Sequence, residues 1–174
     1  MPALGTGMIE ETAKMSALLL VAFNTRYRWT LNGALFGGAI GAGFEAFEDA
    51  GYILGGSLIN GKINLPALFG EVFERAGTVP GGHLIWTALI GAAIWKVKGD
   101  KPFNVEMLFS GTVVRRWAIV VALHGLWDTQ WGTPLVRELI LTVLGWYLLL
   151  AVLVDGLDQV DAAKKAASSF APAG

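Results

Sequence analysis

Cysteine is absent from this 174-residue chain. That excludes a disulfide framework, a thiolate metal site and a cysteine nucleophile. Histidine is scarce: the chain has two, His83 and His124. Charged residues are few as well, at 16%, against roughly 25% in a soluble domain. The net charge of -1 and the lack of a basic face exclude nucleic acid as a partner. No cleavable signal peptide is expected in the short start, residues 1–7, and no internal repeat stands out. What the chain has is apolar surface and glycine. Hydrophobic residues make up 54%, Gly numbers 23 and the mean hydropathy is +0.55. Gly is more frequent in membrane helices than in soluble ones. The composition implies an all-α integral membrane bundle.

A bilayer core takes about 20 mostly apolar residues per helix. Five transmembrane helices are expected, over residues 8–24, 31–58, 82–97, 108–127 and 135–154. Between the second and third, Leu65, Leu68, Phe69, Val72 and Phe73 recur at helical spacing, with Glu71, Glu74 and Arg75 at other positions. That pattern predicts a short amphipathic helix at the membrane interface. Residues 1–158 form a single transmembrane domain in this reading. Residues 159–174 are a polar, small-residue tail expected to be a frayed helix end or flexible.

Lys and Arg set the orientation. Arg26 and Arg28 fall in the first loop, Lys96, Lys98 and Lys101 in the third, and Lys164 and Lys165 in the tail. With five spans these segments share one side. The expectation is a multi-pass cell-membrane protein with its N-terminus extracytoplasmic and its C-terminus cytoplasmic. Arg115 and Arg116, just inside the fourth span, are expected to snorkel to that cytoplasmic interface.

On this frame the unusual residues share one depth. Glu10 and Glu11 lie at the outer end of the first span, and Glu45, Glu48 and Asp49 in the outer half of the second. His83 opens the third, and His124 and Asp128 close the fourth. A charge at the bilayer centre costs roughly 2.5–3.5 kcal/mol even on the lenient insertion scale. Several at one level imply a shared polar cavity. His and carboxylate ligands suit Zn²⁺ with an open position for water. The same groups without metal suit general-base activation of water.

Blander roles compete at each position. Acids in a first helical turn favour the helix dipole, and Glu10 and Lys14 form an i,i+4 pair. His124 and Asp128 share a helix face, and Asp128 is otherwise a plain helix-end acid. Trp86 and Trp127 read first as interface-belt residues; each also lies three residues after a candidate His, which would let its ring pack beside the site. Gly33, Gly37, Gly38, Gly41 and Gly43 read as a close helix-packing surface.

Four blocks carry a family resemblance. Glu10-Glu11-Thr12-Ala13-Lys14 looks like E-E-x-x-K. Gly43-Phe44-Glu45-Ala46-Phe47-Glu48-Asp49 looks like G-F-A-x-x-E-N. His83-Leu84-Ile85-Trp86-Thr87, with Gly91 downstream, looks like H-x-x-W-T. His124-Gly125-Leu126-Trp127-Asp128 looks like H-G-x-x-D. In that order they resemble the PrsW family of intramembrane proteases, within the larger group that includes the CAAX prenyl proteases. The resemblance implies that Glu10 and Glu11 supply the glutamate that activates water or binds metal. Glu48, His83 and His124 would complete the metal or catalytic site, and Asp128 would orient a His or help stabilise the oxyanion. Asp49 and Glu45 depart from the family pattern, which has Asn and Ala there. The chain also begins almost at its first motif, whereas family members are expected to carry helices before it.

The leading expectation is therefore an intramembrane endopeptidase that cleaves a membrane-anchored protein near the extracytoplasmic face. The resemblance implies an anti-sigma-factor-like substrate. The second is a non-catalytic membrane subunit of the same fold, a scaffold held among the other subunits of a larger complex. A small transporter is the third, and no repeated halves support it.

Overall fold

The computed structural model describes residues 3–78 and 81–169. Six α-helices dominate: α1 (Ala3–Ala22), α2 (Thr30–Ser57), α3 (Leu65–Thr78), α4 (His83–Lys98), α5 (Gly111–Asp128) and α6 (Pro134–Ser169). A two-stranded hairpin, β1 (Leu58–Ile59) with β2 (Lys62–Ile63), joins α2 to α3. A 3₁₀ turn, Val105–Phe109, leads into α5. The all-α expectation holds, and the amphipathic helix expected after the second span is α3. The hairpin was not expected, though its signal is present. Asn60-Gly61 is the dipeptide that a tight two-residue hairpin turn favours, and both residues have positive φ, at 54° and 74°.

α4 is the centre of the bundle. Of its 16 residues all but three are buried, because α1, α2, α5 and α6 all pack on it. A helix that is apolar all round is stable only when covered on every side. The closest of these contacts is with α2, which runs antiparallel to it. A Cβ at Gly33 would lie 2.2 Å from Gly91 O, at Gly37 2.2 Å from Thr87 O, and at Gly41 2.2 Å from His83 O. Three glycines at i,i+4 spacing thus lay one backbone against the other, and no side chain fits between them. On the other flank α1 runs against α5, with Gly7 beside Val121 and His124 and Leu4 on Gly125.

Hydrogen bonds and rings fix the end of the bundle opposite the histidines. Trp95 Nε1 and Lys98 Nζ both donate to Tyr27 O, at 2.9 and 2.8 Å, and Phe23 packs edge-on against Phe103. Lys98, expected in a loop, is fully buried by this contact. The Thr30 N–H donates to Gln159 Oε1 at 3.1 Å and Lys96 pairs with Asp155 at 2.7 Å, bringing α6 to the same end. α6 continues as helix through Ser169, so the expected tail is helical to that point; residues 170–174 lie outside the described residues.

Among the described residues one helix, α6, is long and apolar enough to cross a membrane by length and composition. The other four expected spans fall short of that test for identifiable reasons. α4 has 16 residues. α1 carries Glu10, Glu11 and Lys14, and α5 carries Arg115, Arg116 and Asp128. α2 dilutes its apolar residues with glycine and carries Glu45, Glu48 and Asp49. Large apolar side chains nonetheless cover the outside of the bundle: Leu20 is 83% exposed, Phe47 86%, Leu35 68% and Tyr147 69%. An outer surface of this kind suits contact with lipid rather than water.

The α2–α4 contact yields a direct test. Gly37→Ala forces a Cβ to within 2.7 Å of Thr87 C and 2.8 Å of Ala88 Cα. The expected outcome is a loss of about 1–3 kcal/mol, measured as a lower unfolding temperature in detergent. Gly43→Ala, where a Cβ meets nothing within 4 Å, should unfold at or above the wild-type temperature. Equal behaviour of the two variants would contradict the packing described.

Candidate active site

α1 builds one wall of the site. Its buried face is Gly7, Glu11, Lys14, Leu18 and Ala22, a stripe at helical spacing. Glu10 and Glu11 were expected in a first helical turn. Because α1 begins at Ala3, they stand in its third turn, where the helix dipole offers a carboxylate little. Lys14 lies 4.0 Å from Glu10, its expected i,i+4 partner, and 2.5 Å from Glu11 Oε1. Glu11 and Lys14 are both buried, and ions taken out of water persist only when paired in this way.

The other walls come from α2, α4 and α5. Beyond Gly41, the next residue of the glycine stripe is Glu45, which is buried, and one turn later Glu48 reaches His83. His83 is the first residue of α4, and His124 lies in the last turns of α5. The Lys14 ammonium donates to His83 Nδ1 at 2.6 Å. An ammonium has only donors, so Nδ1 accepts and the His83 Nε2–H donates to Glu48 Oε2 at 2.8 Å. His124 Nδ1–H donates to Glu11 Oε1 at 2.8 Å. That leaves His124 Nε2 facing Glu10 Oε2 at 3.6 Å and Asp128 Oδ2 at 3.5 Å. Each imidazole therefore has one nitrogen tied to a carboxylate, which fixes its tautomer; His124 Nε2 keeps a lone pair without a hydrogen bond among the described residues, whereas that of His83 Nδ1 is taken by Lys14.

Aromatic rings enclose the pair. The two imidazoles lie 5.0 Å apart; Phe44 stands edge-on to His83 at 5.0 Å, and its ring centroid is 4.4 Å from Lys14 Nζ. Trp86 stacks on His124 at 4.8 Å and stands perpendicular to His83 at 5.2 Å. Trp86 is 1% exposed, so the belt role expected for it is wrong: burial against both histidines outweighs any interfacial placement. Trp127 packs edge-on to Trp86 at 5.7 Å. Lys14 and Phe44 lie within the motif blocks but carried no expected site role, and Trp86 takes the place beside the histidines that was the second reading for it. Their signal was spacing, since Trp86 follows His83 by three residues and Lys14 follows Glu11 by three.

All the expected site residues meet in one place. Glu10, Glu11, Glu48, His83 and His124 make one connected cluster, with Asp128 at its edge. The grouping differs in one respect. The residues whose ligand atoms fall within 4.8 Å of one another are Glu10, His83 and His124, whereas Glu48 hydrogen-bonds the His83 nitrogen turned away from Lys14. The two departures from the family pattern also find their places. Glu45 Oε2 accepts the Leu84 N–H at 3.4 Å, satisfying a free donor at the start of α4. Asp49 leaves the cluster and pairs with Arg75 of α3 at 2.5 Å.

The donor set fits a metal. One carboxylate and two imidazoles are the ligand types that Zn²⁺ takes with a position left open. Glu10 Oε2 and Glu11 Oε2 are buried with no hydrogen-bond partner among the described residues. Buried carboxylate oxygens in that condition are costly unless a cation or water meets them.

No curated protein and no solved structure matches the chain. One family model does, over residues 1–154, and its description is "PrsW family intramembrane metalloprotease". That match spans all four motif blocks, every residue of the cluster and most of α6. The chain is a membrane protein that belongs to the PrsW family of intramembrane metalloproteases.

Proposed function

We propose that this chain is an endopeptidase that hydrolyses a membrane-anchored protein at the depth of the cluster, near the extracytoplasmic face. The observation that carries this reading is the state of Glu11. One of its oxygens is held by Lys14 and His124, and the other is buried and unpartnered among the described residues. A fixed carboxylate with one free oxygen is placed to act as a general base. Glu11 takes a proton from the attacking water, the hydroxyl adds to the scissile carbonyl carbon, and that proton passes to the leaving amine as the C–N bond breaks. Lys14 is the cation placed to meet negative charge on the carbonyl oxygen.

Glu10, His83 and His124 would hold Zn²⁺ once the Lys14 ammonium gives up His83 Nδ1, with Glu48 and Glu11 orienting the two rings and Asp128 adding a carboxylate beside His124. A bound Zn²⁺ supplies Lewis-acid polarisation and a more acidic water. Substrate reaches the cluster sideways. A cavity of about 310 Å³ between α1 and α2 has Lys14 and Phe44 at its inner end. Ala13, Ala17 and Gly43 line it and leave room for an extended backbone. α1, α2, α4 and α5 accompany α6 across the bilayer in this reading, with α3 at the interface. An anti-sigma-factor-like protein is the substrate that the family resemblance suggests. The scaffold reading has no observation in its favour. A chain released from catalysis gains nothing from keeping buried acids, a lysine and two histidines in mutual contact, at the insertion penalties such groups carry.

Two measurements test this. Cells carrying Glu11→Gln, His83→Ala or His124→Ala, at equal protein level, should accumulate intact membrane-anchored proteins that wild-type cells cleave. Loss of at least about a hundredfold in cleavage is expected from removing a general base. An unchanged membrane proteome in all three variants would sink the protease reading. Orientation is read by impermeant thiol labelling of Thr6→Cys and Ser168→Cys. The first should label from outside and the second only after the membrane is opened; the reverse pattern would place the site on the cytoplasmic face.

A further inference from the structure

A second polar cavity lies at the end of the bundle opposite the histidines. It has a volume of about 250 Å³ and opens among α4, α5 and α6, with Thr30 of α2 at its edge. Lys96, Thr112, Arg116 and Asp155 form its polar wall, and small apolar residues of α4 and α6, Ala93 and Val152 among them, form the rest. Lys96 is paired with Asp155 at 2.7 Å. Arg116 is half-buried and makes no hydrogen bond or ion pair with the described residues. Its neighbour Arg115 is exposed and donates to Gly111 O at 3.0 Å, so the two adjacent arginines stand in different circumstances.

Arg116 lines the cavity with no acceptor among the described residues, and its planar fork matches the oxygens of a phosphate. Thr112 adds a hydroxyl in the first turn of α5, where backbone N–H groups have no intrahelical acceptor and favour an anion. The charge balance narrows the ligand further. Lys96 and Arg116 against Asp155 leave one net positive charge. A phosphodiester carries one negative charge, whereas a phosphate monoester carries about 1.5 to 2 at neutral pH. The flank of the cavity is apolar: Ile119 on α5 and Leu144, Tyr147 and Leu150 on α6 are all exposed. A phosphodiester with apolar chains attached is a phospholipid, and basic cavities between membrane helices accept such headgroups.

We propose that this cavity binds the phosphodiester of a phospholipid headgroup, with Arg116 as its main ligand, Lys96 and Thr112 as supporting ones, and the acyl chains along α5 and α6. The site is independent of the hydrolytic cluster, and its occupancy does not depend on the protease reading. A lipid held there braces the junction of α5 and α6.

The test uses the full chain purified in detergent and counts retained lipid by native mass spectrometry. Phosphatidylglycerol, diacylglycerol and inorganic phosphate are added in separate titrations. One phosphatidylglycerol per chain should be retained, with no retention of diacylglycerol and no displacement by inorganic phosphate at similar concentration. Arg116→Gln should weaken retention by about tenfold, as expected for losing a charge-assisted bidentate contact, while Arg115→Gln leaves it unchanged. Ala151→Trp, which fills the cavity from its α6 side and keeps every cation, should also abolish retention and decides the matter if Arg116→Gln does not fold. Equal retention by wild type, Arg116→Gln and Ala151→Trp would overturn the site. Retention of diacylglycerol as tight as that of phosphatidylglycerol would show apolar adhesion only. Displacement by inorganic phosphate would show a soluble-phosphate site and overturn the lipid.

Discussion

The backbone contact between α2 and α4 is the constraint on which the rest depends. Gly33, Gly37 and Gly41 admit no Cβ against the carbonyls of Gly91, Thr87 and His83. That contact fixes both the spacing and the register of the two helices. Register decides the chemistry, because the glycine stripe runs on into Glu45 at the start of α4, and Glu48 follows one turn later against His83. A one-turn slip would move Glu48 by about 5.4 Å and leave the His83 ring without its orienting acceptor. The packing surface and the site are therefore parts of one helical stripe, apolar and small at one end and acidic at the other.

The second dependence is electrostatic. Glu11 and Lys14 sit on the inward face of α1, about two turns from its start, and both are buried. Each makes the burial of the other tolerable, and His83 and His124 take up the remaining hydrogen-bonding capacity on the shared side. The unsatisfied oxygens of Glu10 and Glu11 are what remains. Those two atoms are where the cluster has capacity left to bind or react, and everything around them is already committed to holding them still.

Much of this was legible in the sequence. Glu10, Glu11, Glu48, His83, His124 and Asp128 were found by their motif order and by their shared depth on the expected helices, and they do converge. The helix boundaries were also close, except at the start of α1 and the end of α6. What was hidden follows from three-dimensional contact. Lys14 pairs more closely with Glu11 than with Glu10 because α1 turns the face that carries Glu11 and Lys14 inward, which local spacing does not reveal. Trp86 read first as interfacial, with a place beside the histidines as the alternative, and it is the packing around α4 that decides for the alternative. The metal-like grouping of Glu10 with the histidines depends on which ring nitrogen faces which helix. The expected spans meet a related limit: the charges that build the site in α1, α2 and α5 are the ones that lower their resemblance to membrane-crossing helices, so α6, which contributes nothing to the site, is the helix that looks most like one. The hairpin at Asn60-Gly61 has its signal in that dipeptide, but its strands are two residues each and carry no alternating pattern of their own.

The most direct measurement is made on the purified chain in proteoliposomes with a single-span membrane protein as substrate and the cut mapped by mass spectrometry. The expected result is one new terminus at the depth of Glu11, formed by the wild-type chain and absent with Glu11→Gln of unchanged thermal stability. Cleavage by the Glu11→Gln chain at the wild-type rate, or cleavage confined to the end of the bundle that carries Lys96 and Arg116, would contradict the account.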